Sequence, residues 1–186
     1  MGLLAGPAKA TLRPSLSLSH DHLFNPPRPA VEFSGSSTLK LDAKGRVFLP
    51  KRFTEFEDEK EPGQKRVMTH FWLTLGLDGC LWLLDQNEWK RMQRRLKAME
   101  IGDKKQRVVH RLFFGNAERL KPDSQGRITL PEKLRQKVGI EKEIELVGAG
   151  RRIEIWSSSI YQAQMAEAEV NWMDDLEAVL GGGGFE

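Results

Sequence analysis

The apolar positions switch between two periods along the chain, and each switch marks an element. Ile128-Thr129-Leu130 alternates as a strand does, and in Arg152–Trp156 the residues Ile153 and Ile155 point one way. Between them PEKLRQKVG places Leu134 and Val138 on one face behind Pro131 and ends at Gly139, which predicts a short helix. Ile144–Val147, a Gly-Ala-Gly turn and Arg152–Trp156 predict a hairpin. Asp85 followed by Glu88 predicts a capping box opening a helix with the stripe Trp89, Met92, Leu96 and Met99. A second helix is expected from about Asp103, carrying Val108, Val109, Leu112 and Phe113. After the serines at 157–159 a last helix is expected, with Tyr161, Met165, Ala168, Trp172 and Leu176 along one side.

The pattern occurs twice. LDAKGRVFLP (41–50) returns as PDSQGRITLP (122–131), so that Asp42, Gly45, Arg46, Leu49 and Pro50 recur as Asp123, Gly126, Arg127, Leu130 and Pro131. Further on, Gly76, Leu81, Leu83 and Trp89 recur as Gly148, Ile153, Ile155 and Tyr161. The offset falls from 81 residues (42 to 123) to 72 (76 to 148), so the first copy holds nine extra residues. They are expected in the charged loop EFEDEKEPGQKR (55–66). A duplication of this kind is read before any single element is assigned. One unit of two hairpins cannot bury its apolar faces alone, whereas two units can interleave strands and hide their edges. The expected fold class is therefore α+β, a pseudo-symmetric β core with peripheral helices.

Within each repeated turn the residue types have local roles. Asp42 and Asp123 can accept hydrogen bonds from amides two residues on, and Gly45 and Gly126 permit positive φ. Arg46 and Arg127 then leave the turn at one fixed point of a strand. Two readings stay open: each Arg pairs with its own Asp and locks the turn, or a pre-positioned guanidinium reads DNA phosphates or the O6/N7 edge of guanine.

DAKGRVFLP, DSQGRITLP, LDGCLWL and GAGRRIEIW together resemble the MraZ family of bacterial transcriptional regulators, built from two SpoVT/AbrB-type units. The likeness runs from about Phe33 to Trp172. It implies a swapped-hairpin, double-psi-like β-barrel from two tandem repeats at 36–86 and 117–160. Linking helices would occupy 87–116 and a C-terminal helix 161–180. Outside these, 1–32 reads as a disordered N-terminal extension and 181–186 as a flexible tail. The resemblance further implies double-stranded DNA as partner, repeated promoter boxes as target, a ring-shaped homo-oligomer, and repression of a division and cell-wall gene cluster. It carries Asp42, Arg46, Asp123 and Arg127 over as DNA-binding residues, with Lys44 and Gln125 in the same loops as further contacts. A cytoplasmic, nucleoid-associated protein is the setting that follows.

Composition adds little for or against. A net charge of +3 and a sequence pI near 9.0 lean only slightly toward an anionic partner. That charge is uneven: Lys90 to Arg111 holds nine Lys/Arg and two acids. This stretch reads either as the solvated face of two helices or as a flank that follows phosphates. The five tryptophans, Trp72, Trp82, Trp89, Trp156 and Trp172, read as core or subunit-interface residues. The single cysteine, Cys80, excludes an intrachain disulfide. His20, His22, His70 and His110 are scattered, so no metal set, cofactor or small-molecule substrate is expected, and no membrane span. Ser37-Thr38-Leu39-Lys40 matches S-x-x-K by chance, and Gly148-Ala149-Gly150 joins two strands where a phosphate loop would lead into a helix. No enzyme is expected. An oligomeric scaffold with purely structural turns, or a general nucleic-acid coat, remain as alternatives.

Overall fold

The two copies exchange strands. In the computed structural model, which describes residues 31–58, 61–99 and 102–181, the first copy contributes β1 (Ser36–Lys40), β2 (Arg46–Phe48), β5 (Phe71–Leu75) and β6 (Leu81–Leu84). The second contributes the matching β7 (Glu118–Leu120), β8 (Arg127–Thr129), β9 (Glu143–Gly148) and β10 (Ile153–Ser157). Among these matched strands, the hairpins β5–β6 and β9–β10 stay within one copy. β1 pairs with β9, β7 with β5, β6 with β10 and β2 with β8, all antiparallel. The order β1-β9-β10-β6-β5-β7 of the six-stranded sheet reads as the same succession of equivalents from either end. The β2–β8 ribbon forms a separate two-stranded pair.

This exchange places one apolar core between the copies. Val47, Leu49 and Phe53 from the first copy meet Ile128, Leu130 and Leu134 from the second, together with Leu73, Leu83, Ile144 and Ile155 from the long sheet. All ten are at most 2% exposed. Burying a side chain of this size contributes roughly 1.5–3 kcal/mol. A short α3 (Glu132–Lys137) follows β8, and a single 3-10 turn (Lys51–Phe53) stands in its place after β2.

The segment expected as a charged loop carries two strands among its described residues. Glu55–Asp58 and Glu61–Val67 are β3 and β4, an antiparallel ribbon with Glu57 opposite Lys65 and Phe56 opposite Arg66. Their many charged residues gave no apolar period to read. Phe56 ties the ribbon to the core, its ring meeting Phe33 edge-on with centroids 5.6 Å apart.

The linking helices are α1 (Gln86–Lys97) and α2 (Lys104–Gly115). Asp85 caps α1 by accepting the Glu88 amide at 2.6 Å, while the Glu88 carboxylate turns to Arg91. Only one half of the expected capping box therefore forms. Trp89 and Leu96 are buried with Leu84 and Phe113, and Trp89 stacks on Trp72 at 4.5 Å. Met99 lies beyond the end of α1 and is half exposed. In α2 the expected stripe holds for Phe113 alone; Val108, Val109 and Leu112 face solvent. Asp103 precedes α2 without a side-chain capping bond.

After the second copy the single expected helix is two, α4 (Ser158–Ala168) and α5 (Trp172–Leu180). Neither buries the expected stripe: Trp172 is half exposed, and no residue of α5 is buried. Most of the extension expected at 1–32, including His20 and His22, and all but the first residue of the 181–186 tail lie outside the described residues. No helix among the described residues is long and apolar enough to cross a membrane.

Candidate nucleic-acid interface

Both Asp-x-x-Gly-Arg turns have the same internal wiring. The Asp42 amide donates to the Arg46 carbonyl at 2.9 Å and the Gly45 amide to the Asp42 carbonyl at 2.9 Å. In the second turn Asp123 donates to Arg127 at 2.8 Å and Gly126 to Asp123 at 2.9 Å. Closing so tight a bend requires positive φ, which Gly45 (72°) and Gly126 (77°) supply without steric cost.

Each aspartate divides its oxygens between backbone and guanidinium. Asp42 Oδ1 accepts the amides of Lys44 and Arg46, both at 2.9 Å. Its Oδ2 takes Arg46 Nε at 2.7 Å and Nη2 at 2.6 Å. Asp123 repeats this: Oδ1 holds the Gln125 and Arg127 amides at 2.9 Å, and Oδ2 takes Arg127 Nε at 2.9 Å and Nη2 at 2.8 Å. The Arg46 side-chain bond, aided by the two amides, holds the Asp42 carboxyl down at about 2. The Asp123 carboxyl is lowered as well, first by the Arg127 amide and then by its side chain.

The ion-pair reading of the turns is therefore correct, and it leaves the display of the guanidiniums open. A guanidinium has five N–H donors in a planar fork. The aspartate occupies the Nε/Nη2 edge and leaves the Nη1/Nη2 edge without a protein partner among the described residues. The Arg46 and Arg127 side chains retain 30% and 29% of their exposure, so each is partly open to solvent.

Strand pairing puts both guanidiniums on one face. In the β2–β8 register Arg46 faces Thr129, Val47 faces Ile128 and Phe48 faces Arg127. Val47 and Ile128 point into the core, so the alternation of a strand turns Arg46, Phe48, Arg127 and Thr129 outward together. Arg46 and Arg127 are diagonal neighbours, with backbones about 7–8 Å apart. The Leu130 amide bonds the Gly45 carbonyl at 2.9 Å and the Leu49 amide bonds the Gly126 carbonyl at 3.0 Å, so each turn is held by the other copy. The side chains of Lys44 and Gln125 are exposed at the two tips.

One neighbour has no signal in the sequence. Arg135, from α3, lies against Gly45, where a Cβ would come within 3.1 Å of its Nε, and its Nε donates to the Leu130 carbonyl at 3.1 Å. It belongs to the second copy and reaches the first turn only through strand exchange. Seven exposed cations, Lys90, Arg94, Arg95, Lys97, Lys104, Lys105 and Arg111, lie on α1 and α2. No group of three or more His, Cys, Asp or Glu among the described residues could hold a metal ion.

The chain matches the MraZ protein family over residues 33–112 and again over 113–181. The chain belongs to the MraZ family. It is 40% identical over 148 residues to the transcriptional regulator MraZ of Carboxydothermus hydrogenoformans, covering 80% of this chain and 96% of that protein. The protein of the same name from Acetivibrio thermocellus is 34% identical over 139 residues, covering 75% and 90%. That of Kineococcus radiotolerans is 32% identical over 150 residues, covering 81% and 98%. The boundary between the two MraZ matches, at 112/113, falls near the C-terminal end of α2, and the two Asp-x-x-Gly-Arg turns fall one in each.

Proposed function

We propose that this MraZ-family chain is a sequence-specific DNA-binding transcriptional regulator, with Arg46 and Arg127 as its base-reading side chains. The observation that carries the reading is that each aspartate takes one edge of its guanidinium and leaves the other without a partner among the described residues, on a ribbon face that strand alternation turns outward. Bidentate recognition of guanine O6/N7 needs two parallel N–H donors, and such a contact contributes about 1–3 kcal/mol of discrimination. The major groove admits a two-stranded ribbon, the form that β2 and β8 take. Lys44 and Gln125 stand at the tips as further contacts to phosphate or base. The exposed cations of α1 and α2 strengthen attachment to the backbone without specifying sequence.

The same reading makes the β core a swapped-hairpin, double-psi-like barrel, supported by the four strand pairings between copies. It makes the assembly a ring, supported by the uncovered apolar residues Val170, Trp172, Met173 and Val179 of the C-terminal region. Short operator boxes repeated in a promoter would then be bound by several subunits at once, with the avidity that linkage provides. Repression of a division and cell-wall gene cluster by a cytoplasmic, nucleoid-bound protein completes the proposal.

A scaffold with purely structural turns and a general nucleic-acid coat are separated from it by one titration. The wild type and an Arg46→Ala/Arg127→Ala variant are tested by gel shift on DNA from upstream of the gene, with scrambled competitor. Loss of specific binding with folding and subunit number intact supports the regulator. Unchanged specific binding rejects it.

A further inference from the structure

The face that displays the two arginines is not symmetric. Where the second copy carries Thr129, the first carries Phe48, a side chain 49% exposed in a ribbon whose inward residues are fully buried. Its ring lies over the second turn, 3.3 Å from where a Cβ on Gly126 would stand. The first turn is instead covered by the Arg135 guanidinium. One end of the face thus presents Arg127 beside an aromatic ring, and the other Arg46 beside a hydroxyl.

Resting on the reading of this face as the DNA-binding surface, we propose that Phe48 reads the 5-methyl group of a thymine beside the base taken by Arg127. Phe48 and Arg127 are direct cross-strand partners, so their Cβ atoms stand about 4.5–5.5 Å apart. Neighbouring base pairs are spaced about 3.4 Å, within the reach of two such side chains. Among the groups that base pairs present in the major groove, the thymine methyl is the apolar one, and a phenyl ring is among the side chains that meet it. The remaining outward neighbours, Arg46, Arg127 and Thr129, are polar, which leaves Phe48 as the apolar contact on that face. An exposed ring there has little to gain from water and a methyl to cover on DNA. The two ends of the ribbon accordingly read different steps, guanine with thymine at the Arg127 end, and the operator half seen by one end is not a copy of the other.

The test replaces thymine by uracil, which lacks only the methyl. DNA from upstream of the gene is amplified with dTTP or with dUTP, and both products are titrated against wild type, Phe48→Ser, Phe48→Leu and Arg46→Ala/Arg127→Ala. Each methyl lost from an apolar contact lowers affinity about fourfold. Wild type is expected to bind the uracil product at least about fourfold more weakly. Phe48→Ser should bind both products alike, at an unchanged melting temperature, and Phe48→Leu should keep part of the preference. Equal binding of both products by wild type overturns the proposal, as does a methyl preference that survives Phe48→Ser. If the double arginine variant binds like wild type, the DNA-reading role of the face itself fails, whatever Phe48 does.

Discussion

Arg46 and Arg127 stand diagonally across the β2–β8 ribbon, on the side opposite the buried pair Val47 and Ile128. Both leave the same edge without a partner among the described residues. A lysine in place of Arg46 keeps the charge and loses the fork, since an ammonium cannot make the planar bidentate contact. Arg46→Lys should therefore lower affinity for the cognate promoter about tenfold or more while leaving binding to scrambled DNA and its salt dependence nearly unchanged. Gel-shift titrations at two salt concentrations check this.

The depressed carboxyl of Asp42 has a consequence at low pH. Its folded value of about 2 lies below the ordinary 3.8, so the carboxylate favours the folded state at neutral pH. That contribution is fully present above about 4 and is lost as pH falls through about 2. Thermal denaturation between pH 5 and pH 2 should show Asp42→Asn losing less stability with acid than the wild type does. Asp123→Asn should behave the same way.

Inner and outer positions of the ribbon should differ sharply in what their truncation costs. Ile128 is fully buried at the crossing of the two copies, so Ile128→Ala should cost about 2–5 kcal/mol in chemical denaturation. Thr129, the next residue and exposed, should change stability by at most about 0.5 kcal/mol on replacement by Ala.

At the start of α1 the cap and the charge of Asp85 oppose each other. Losing the cap in Asp85→Ala should cost about 1 kcal/mol. Burial raises the carboxyl of Asp85, so its stabilising contribution falls as pH rises above the ordinary 3.8. Asn keeps the accepting oxygen and carries no charge. Asp85→Asn should accordingly be milder than Asp85→Ala at pH 7, and its difference from wild type should move in favour of Asn as pH rises from 4 to 7 in melting curves.

Cys80 is buried, donates to the Leu77 carbonyl at 3.2 Å and has its thiol pushed up to about 12 by burial. At pH 7.5 it should resist maleimide in the native protein and react within minutes in denaturant, as mass spectrometry would record.

The turns were legible because their chemistry is local: an Asp, a Gly and an Arg at fixed offsets act on one another within five residues. The start of α1 was legible for the same reason. Partner choice was not, because the period of Ile128-Thr129-Leu130 says which face is buried and nothing about Arg46-Val47-Phe48 lying alongside. That is why Arg135 beside Gly45 and the diagonal arginines emerge only in three dimensions. The β3–β4 ribbon escaped because its strands are rich in charge and show no apolar alternation, with Phe56 as their contact to the core. The break between α4 and α5 has no Gly or Pro to mark it, only Asn171 ahead of Trp172. In α2 the contact surface has room for Phe113 and Phe114, so Val108, Val109 and Leu112 stay outside although the periodicity includes them.

Since the Gly45 carbonyl holds Leu130 and the Gly126 carbonyl holds Leu49, each bend, closed by its own Asp and Gly, is also tied to the other copy. A displacement of one is passed through a pair of backbone links to the other. Whatever docks on that face meets a two-pronged gauge of fixed span, unable to adjust one prong alone.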